Sequence, residues 1–411
     1  MTDVPRWGLF EVFGIELEYM IVDRDTLAVQ PIADRLLRAA HGGEAWVEDV
    51  ERGEIAWSNE IVAHLVELKT NGPAPALAGL DAAFHADVIA ANRLLAPEGA
   101  MLLGGGAHPF MDPASETRIW PHGGAEVYGT YDRIFGCKGH GWSNLQSTHL
   151  NLPFADDEQF GRLHAAIRLV LPIIPALAAS SPFLDGRFTG HLDARLETYR
   201  HNQARIPSIT GRVIPEPLFS EREYRGLLAR IAADVQPHDP DGILDPIFLN
   251  SRGAIARFDR NAIEIRLIDI QECPAADLGV ATAIVSLLRR LVAEETAPYR
   301  LQQEWPEDLL ADILLDVVRD GDEARITDAD YLRMLGLRER SMSAGAAWRA
   351  LCEAARDDFE GAARNSTARI LHEGPLARRL LRTVGFAPER KTLVAACREL
   401  ASCLAENRQF P

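Results

Sequence analysis

Phe13-Gly14-Ile15-Glu16-Leu17-Glu18-Tyr19-Met20-Ile21-Val22-Asp23 opens by alternating apolar and charged residues, as a strand with one wet face does. On a strand, residues two apart point the same way, so Glu16 and Glu18 present two carboxylates side by side. Adjacent like charges repel unless a cation lies between them, and hard divalent cations take carboxylate oxygens. A solvated strand face explains the same pair without any ligand. A second pair shifts the balance: in Ile263-Glu264-Ile265-Arg266-Leu267 a strand again puts two charged side chains, an acid and a base, on one face. Ile263, Ile265 and Leu267 fill the other face and make the strand assignment firm, with a surface ion pair as the alternative for Glu264 and Arg266.

A third acidic stretch runs from Ser58 to Thr70. As a helix it would align Glu60, His64 and Glu67; as a strand it puts Leu65, Glu67 and Lys69 on one face. The Thr-Asn-Gly-Pro stop favours a strand over residues 64–70, which lets Glu67 join the acidic surface and Lys69 meet an anion. His149 lies in another strand-like run, LQSTHLNLPF, where a lone histidine is more often a core residue than a ligand.

Between these runs, residues 77–96 have helical periodicity, AMLLGGGAHPF is a buried strand ending in a glycine turn, and LHAAIRLVLPIIPALAAS is a helix interrupted by prolines. Residues 181–217 are rich in Gly, Pro, Arg and His and lack either period, as functional loops do. AIARFDRNAIEIRLIDI is a hairpin turning at Asp259-Arg260-Asn261. From Ala275 onward the pattern is helical almost throughout, with Pro306 in the first turn of one helix and Gly374-Pro375 between two others. Strands first and helices last make an α+β fold, with one mainly antiparallel sheet, helices on one face and a helical C-terminal part.

The bulk properties set limits. At 411 residues the chain makes two ordinary domains or one large one. Sixty acids against 43 bases give a net charge of −17, which disfavours nucleic acid and anionic membranes as partners. Five scattered cysteines, with no Cys-x-x-Cys pair, argue against a disulfide framework or structural zinc. The first residues, MTDVPRWGLF, lack the basic stretch and apolar run expected of a secretory leader, and LVLPIIPALAASSPF is too short to span a bilayer. These features fit a cytoplasmic protein. No G-x-x-x-x-G-K-[ST] occurs, so phosphates would be held through metals and basic side chains rather than a P-loop.

Taken in order, these segments resemble the glutamate–cysteine ligase family, in its bacterial carboxylate–amine ligase branch. The matching stretches are Gly14–Glu18, Glu67–Thr70, Gly106–Phe110, Thr148–Asn151, Ala179–Gly186, Thr189-Gly190 followed by Arg195, and Ile263–Asp269. Each is weak alone, and their joint order across residues 13 to about 290 carries the resemblance. It implies one large catalytic domain over residues 1–411, similar to that of glutamine synthetase, with a motif-bearing sheet region (13–290) and a helical subregion (291–411). It also implies metal ligands Glu16, Glu18, Glu67, His149 and Glu264, with Glu60 as a further one. Arg266 looks like the residue that holds the terminal phosphate and Arg195 like a clamp on a substrate carboxylate, with Arg200 as its rival; Lys69, from its strand face, is the further candidate for a phosphate contact. The family often has a second histidine two residues before His149, where this chain has Ser147.

The chemistry implied is ATP- and Mg²⁺-dependent (Mn²⁺ as the alternative ion). A glutamate γ-carboxylate becomes an acyl phosphate and is joined to an amine, cysteine by default, as in glutathione biosynthesis. Small molecules are the expected partners and a homodimer the expected assembly. The competing expectations are an ATP-dependent phosphotransferase resembling guanidino kinases and a catalytically silent nucleotide- or metal-binding homologue.

Overall fold

The computed structural model describes residues 6–411. The expectation about a leader falls in part on residues 1–5, which lie outside the described residues. Ten strands matter to the site: β1 (Gly14–Asp23), β2 (Asp49–Arg52), β3 (Ile55–Asn59), β4 (Leu65–Thr70), β5 (Ala100–Leu103), β6 (Ser147–Pro153), the short hairpin β7 (Phe183–Leu184) and β8 (Arg187–Phe188), β9 (Ala254–Arg257) and β10 (Ala262–Asp269). Eight of them form one sheet in the order β2-β3-β4-β1-β6-β10-β9, with β5 on the far half of β1. Every pairing in it is antiparallel. β1 is the hub: its first residues pair with β6 on one side, and its last four pair with β5.

The alternation of β1 decides what each face meets. Ile15, Leu17, Tyr19 and Ile21 are fully buried and join the main core under the helices Leu80–Leu95, Asp157–Val170 and Pro274–Val292. On the other face the strand begins with Glu16 and Glu18 and continues with Met20 and Val22. Met20 and Val22 join a second core with Leu103 and the C-terminal helices Leu376–Val384 and Arg390–Glu406. The second face is thus apolar at one end and acidic at the other, and helices cover its apolar end in addition to the whole first face.

The expected elements form, with local differences. The helix over residues 77–96 runs Leu80–Leu95, and the hairpin turns where Asp259-Arg260-Asn261 predicts, Asn261 taking the left-handed conformation with φ 52°. Pro306 stands one residue earlier than expected, at the N-cap of Glu307–Asp320 rather than in its first turn. Ser58–Thr70 is two strands joined by a turn, so the helical alignment of Glu60, His64 and Glu67 does not exist; the His64 ring lies 2.7 Å from the Ser143 carbonyl, buried away from the acids. Residues 181–217 are less irregular than their composition suggests: besides β7 and β8 they hold the helix Ala194–Tyr199, capped by Asp193.

Candidate active site

Register brings the charged residues of four strands into one row. Glu18 lies opposite Glu67 on β4, Glu16 opposite His149 on β6, and Glu264 on β10 opposite Asn151 on β6. Directly opposed residues share a face at roughly 5 Å between Cβ atoms, so five positions far apart in sequence become neighbours. The row is the floor of a cavity of about 1160 Å³. That exceeds the ~300–1,000 Å³ of a pocket for one small ligand, leaving room for more than one. Every candidate residue lines it except Arg200.

Within the row, His149 Nδ1 is 2.7 Å from Glu16 Oε2 and 3.8 Å from Glu264 Oε1, and its Nε2 is 3.7 Å from Glu18 Oε1. The histidine belongs to the acidic cluster, not to a dry core. One donor atom from each of Glu16, Glu67 and His149 lies within 4.8 Å of the others, and Glu18, Glu60 and Glu67 make a second such group. Neighbours fix the carboxylates: Ser147 donates from both N (2.7 Å) and Oγ (2.8 Å) to Glu18, Asn151 donates to Glu16 (3.0 Å), and Ser58 donates to Glu67 (2.8 Å). Ser147 therefore orients a carboxylate where the family often has a histidine.

This crowding displaces the acidities. Burial opposes charge on Glu16, yet the hydrogen bond and charge of His149 hold it down at about 2. Burial likewise opposes charge on His149, but Glu16, Glu18 and Glu264 push it up to about 10. For Glu67 the balance is reversed: burial and the Glu16 charge outweigh Lys69, His149 and the Ser58 hydrogen bond and raise it to about 7. Burial and the charges of Glu18 and Glu67 raise Glu60 well above the carboxylate range. Protons thus occupy the cluster at neutral pH, which is the condition a polyvalent cation relieves.

Basic groups ring the acids. Arg266 donates to Glu264 Oε1 from Nη2 (2.5 Å) and Nε (3.1 Å), and Lys69 Nζ sits 2.7 Å from Asp49, 2.8 Å from Ser58 and 3.4 Å from Glu67. Arg195 is buried, with its Nε on Asp269. Arg200 turns away and forks onto Glu197 at 2.7 and 3.0 Å. Five residues apart on one helix means about 140° of rotation, so the two arginines cannot share a target. Sequence reasoning missed Arg257, buried 3.8 Å from Glu264 Oε2, and the wall of Tyr128, Tyr131 and Trp142. The hairpin register would have placed Arg257, because it pairs with Ala262, two residues before Glu264.

The structure is the expected α+β fold, a mainly antiparallel sheet with packed helices and an acid-floored cavity on one face. A sequence model described as glutamate–cysteine ligase family 2 matches residues 12–398, nearly the whole chain. A protein of Archaeoglobus fulgidus, itself named only as uncharacterized, is 31% identical over 401 residues, covering 97% of this chain and 100% of its own. A Salinispora tropica protein named “Putative glutamate–cysteine ligase 2” is 28% identical over 306 residues, covering 73% of this chain and 70% of its own. The fold is shared with the glutamate–cysteine ligase of Francisella tularensis, solved in complex with AMP. The TM-score is 0.64 at 11% identity, over 96% of this chain and 89% of that one. The chain belongs to glutamate–cysteine ligase family 2, and with it to the carboxylate–amine ligases, which act on small molecules. Among the described residues no helix is long and apolar enough to cross a membrane.

Proposed function

We propose that this enzyme uses ATP to convert the γ-carboxylate of glutamate into an acyl phosphate and joins it to the amine of a second substrate, cysteine by default. The observation that carries this reading is the row of Glu67, Glu18, Glu16, His149 and Glu264 on the floor of one cavity, with Arg266 and Lys69 at its edge. Carboxylate oxygens with one imidazole are a hard donor set, and their proton-laden state fits a site built around cations, Mg²⁺ or Mn²⁺. Glu16, Glu18, Glu60, Glu67, His149 and Glu264 would hold them. When bound, such ions neutralise charge on the phosphoryl group being transferred.

The chain's own residues supply the rest. Arg266 presents a planar fork to the terminal phosphate and Lys69 adds a point charge. Arg195 orients the acid substrate through its carboxylate. Tyr128, Tyr131 and Trp142 wall the cavity and limit water, which would otherwise hydrolyse an acyl phosphate. No protein nucleophile is needed. All five cysteines are buried, and burial pushes the Cys137, Cys352, Cys397 and Cys403 thiols up to about 12, far from a reactive thiolate. In this reading residues 1–411 act as one catalytic unit, with a sheet region over 13–290 and a helical region over 291–411, in a cytoplasmic homodimer that contributes to glutathione biosynthesis.

Product analysis tests the reaction class. With ATP, Mg²⁺, glutamate and a pooled set of amines, mass spectrometry is expected to show an amide together with ADP and phosphate. A phosphorylated acceptor with ADP would establish the phosphotransferase instead, and no turnover would establish a silent homologue. Arg195→Ala is expected to lower kcat/KM for glutamate by about a hundredfold, since misplacing a substrate by ~1 Å costs that much. Arg200→Ala, outside the cavity, is expected to stay within about twofold of wild type.

The acidities give a pH signature. Glu60 and Glu67 hold protons in the folded chain that the unfolded chain releases near pH 4.5, so their stabilisation is present at acid pH. For Glu67 it is lost as pH rises toward about 7. His149 adds stability below its ordinary 6.5 that fades as pH rises through about 10. Both slopes have one sign: with EDTA the protein is expected to melt at a lower temperature at about pH 8 than at about pH 6. Millimolar Mg²⁺ is expected to restore stability more at the higher pH, by about 2.7 kcal/mol at a hundred times its Kd. Melting curves that ignore both pH and Mg²⁺ would remove the cation reading.

A further inference from the structure

Four of the sequence stretches that carry the family resemblance have so far received no chemistry of their own: Gly106–Phe110, the Ser180-Ser181 pair, the residues around Thr189, and the end of β10 at Asp269. The structure ties most of them into one buried knot. Asp269 is fully buried, and its Oδ2 accepts from Ser180 N (2.8 Å) and Ser181 Oγ (2.7 Å). Its Oδ1 takes the Nε of Arg195. Ser181 Oγ also accepts from the Arg195 backbone N at 3.0 Å, so it fixes both ends of the pair. Ser180 Oγ donates to the Ile270 carbonyl (2.7 Å) and accepts from Gly106 N (2.7 Å).

Gly106 is required at its place in this knot. A Cβ there would stand 2.6 Å from Asp269 Cγ, and a buried carboxylate with three partners has nowhere to retreat. Two groups at the knot are left unspent, Asp193 Oδ2 beside Asp269 and one nitrogen of Arg195. The Nη2 of Arg195 is buried with no partner among the described residues, and Arg195 lines the cavity floored by the acids. A guanidinium nitrogen kept in that state costs free energy unless a ligand completes it.

We propose that Asp269 is a positioning residue: anchored by Ser180 and Ser181 and packed against Gly106, it holds Arg195 by Nε so that the Nη edge is presented to the carboxylate of the acid substrate. The inference rests on the reading of Arg195 as the substrate clamp. It explains why residues from four distant segments meet at one carboxylate. An arginine held only by its backbone would lose side-chain freedom on each binding event, whereas one held by Nε has lost it already.

Calorimetric titration of L-glutamate, with Mg²⁺ and a non-hydrolysable ATP analogue present, tests it in Asp269→Asn, Arg195→Ala and the double variant. Asp269→Asn is expected to weaken glutamate at least about tenfold while the Kd of the ATP analogue stays within about twofold, a split that general loosening of the fold would not give. In the Arg195→Ala background the same substitution is expected to weaken glutamate no further, because Asp269 acts through Arg195. Wild-type glutamate affinity in Asp269→Asn, or an undiminished effect on top of Arg195→Ala, overturns the positioning role while leaving the clamp intact. Wild-type affinity in Arg195→Ala alone overturns the clamp reading and the proposal with it. Should Asp269→Asn not fold, Ser181→Ala removes a single anchor: a loss of about threefold in glutamate affinity is expected, and wild-type affinity there overturns the proposal.

Discussion

Replacing Glu264 by Gln is expected to cut turnover at least about a hundredfold in a protein that still melts cooperatively. The size follows from what the side chain does at the end of the acidic row. Removing a single preorganised electrostatic contact to a charge-developing transition state costs about 10²–10³ in kcat. Glu264 is a larger loss, since its carboxylate faces His149, Arg257 and Arg266 together, at 3.8, 3.8 and 2.5 Å. Gln keeps the shape and one acceptor oxygen, so Arg266 retains a hydrogen bond. It removes the charge that Arg257 and Arg266 balance and that a cation in the cluster would need. Breaking a buried ion pair costs up to about 3–5 kcal/mol, and the remaining amide dipole offsets part of it. Melting temperature and kcat measured on the same preparation separate the two effects: stability falls modestly and turnover collapses. Near-normal turnover would return β10 to a strand with an ion pair on its face.

The residues of that row were visible in the sequence one strand at a time, and their meeting was not. Glu16 and Glu18, like Glu264 and Arg266, show their common face because strand periodicity is local. That β4, β1, β6 and β10 lie side by side is set by packing of the opposite face under three helices, which no local pattern reports. Composition made residues 181–217 look structureless, because the contacts that order them are long-range: Ser181 reaches Asp269, 88 residues on. The spacing from Thr189 favours Arg195 and leaves Arg200 as its rival, and only the helix Ala194–Tyr199 gives each a direction. Arg257 escaped notice because it ends the apolar run Ala254-Ile255-Ala256, where a lone base looks like a solvated strand end. His149 was ambiguous for the opposite reason, as its partners are all carboxylates from other strands.

Arg266→Lys is the more demanding test, because it keeps the charge and changes only its shape. The Arg266 guanidinium spends Nε and Nη2 on one oxygen of Glu264, and the Tyr199 hydroxyl lies close enough to raise its pKa further alongside the Glu264 charge. Burial opposes that charge, and the net shift is still strongly upward, so the group stays cationic across any working pH. One edge of a planar fork can hold Glu264 while another faces a phosphate; an ammonium is a single point and serves one partner at a time. Lysine would settle on Glu264, the fixed anion, and leave the phosphoryl oxygens short of a donor. Arginines that stabilise phosphoryl transfer are worth about 10³–10⁵ in rate, so single-turnover ADP formation is expected to slow by at least about a thousandfold. Glutamate affinity should change little, because in the proposed reading Arg195 and not Arg266 orients that substrate. If Arg266→Lys instead forms ADP within about threefold of the wild-type rate, the arginine is only the partner of Glu264, and the phosphate is held by Lys69 or Arg257.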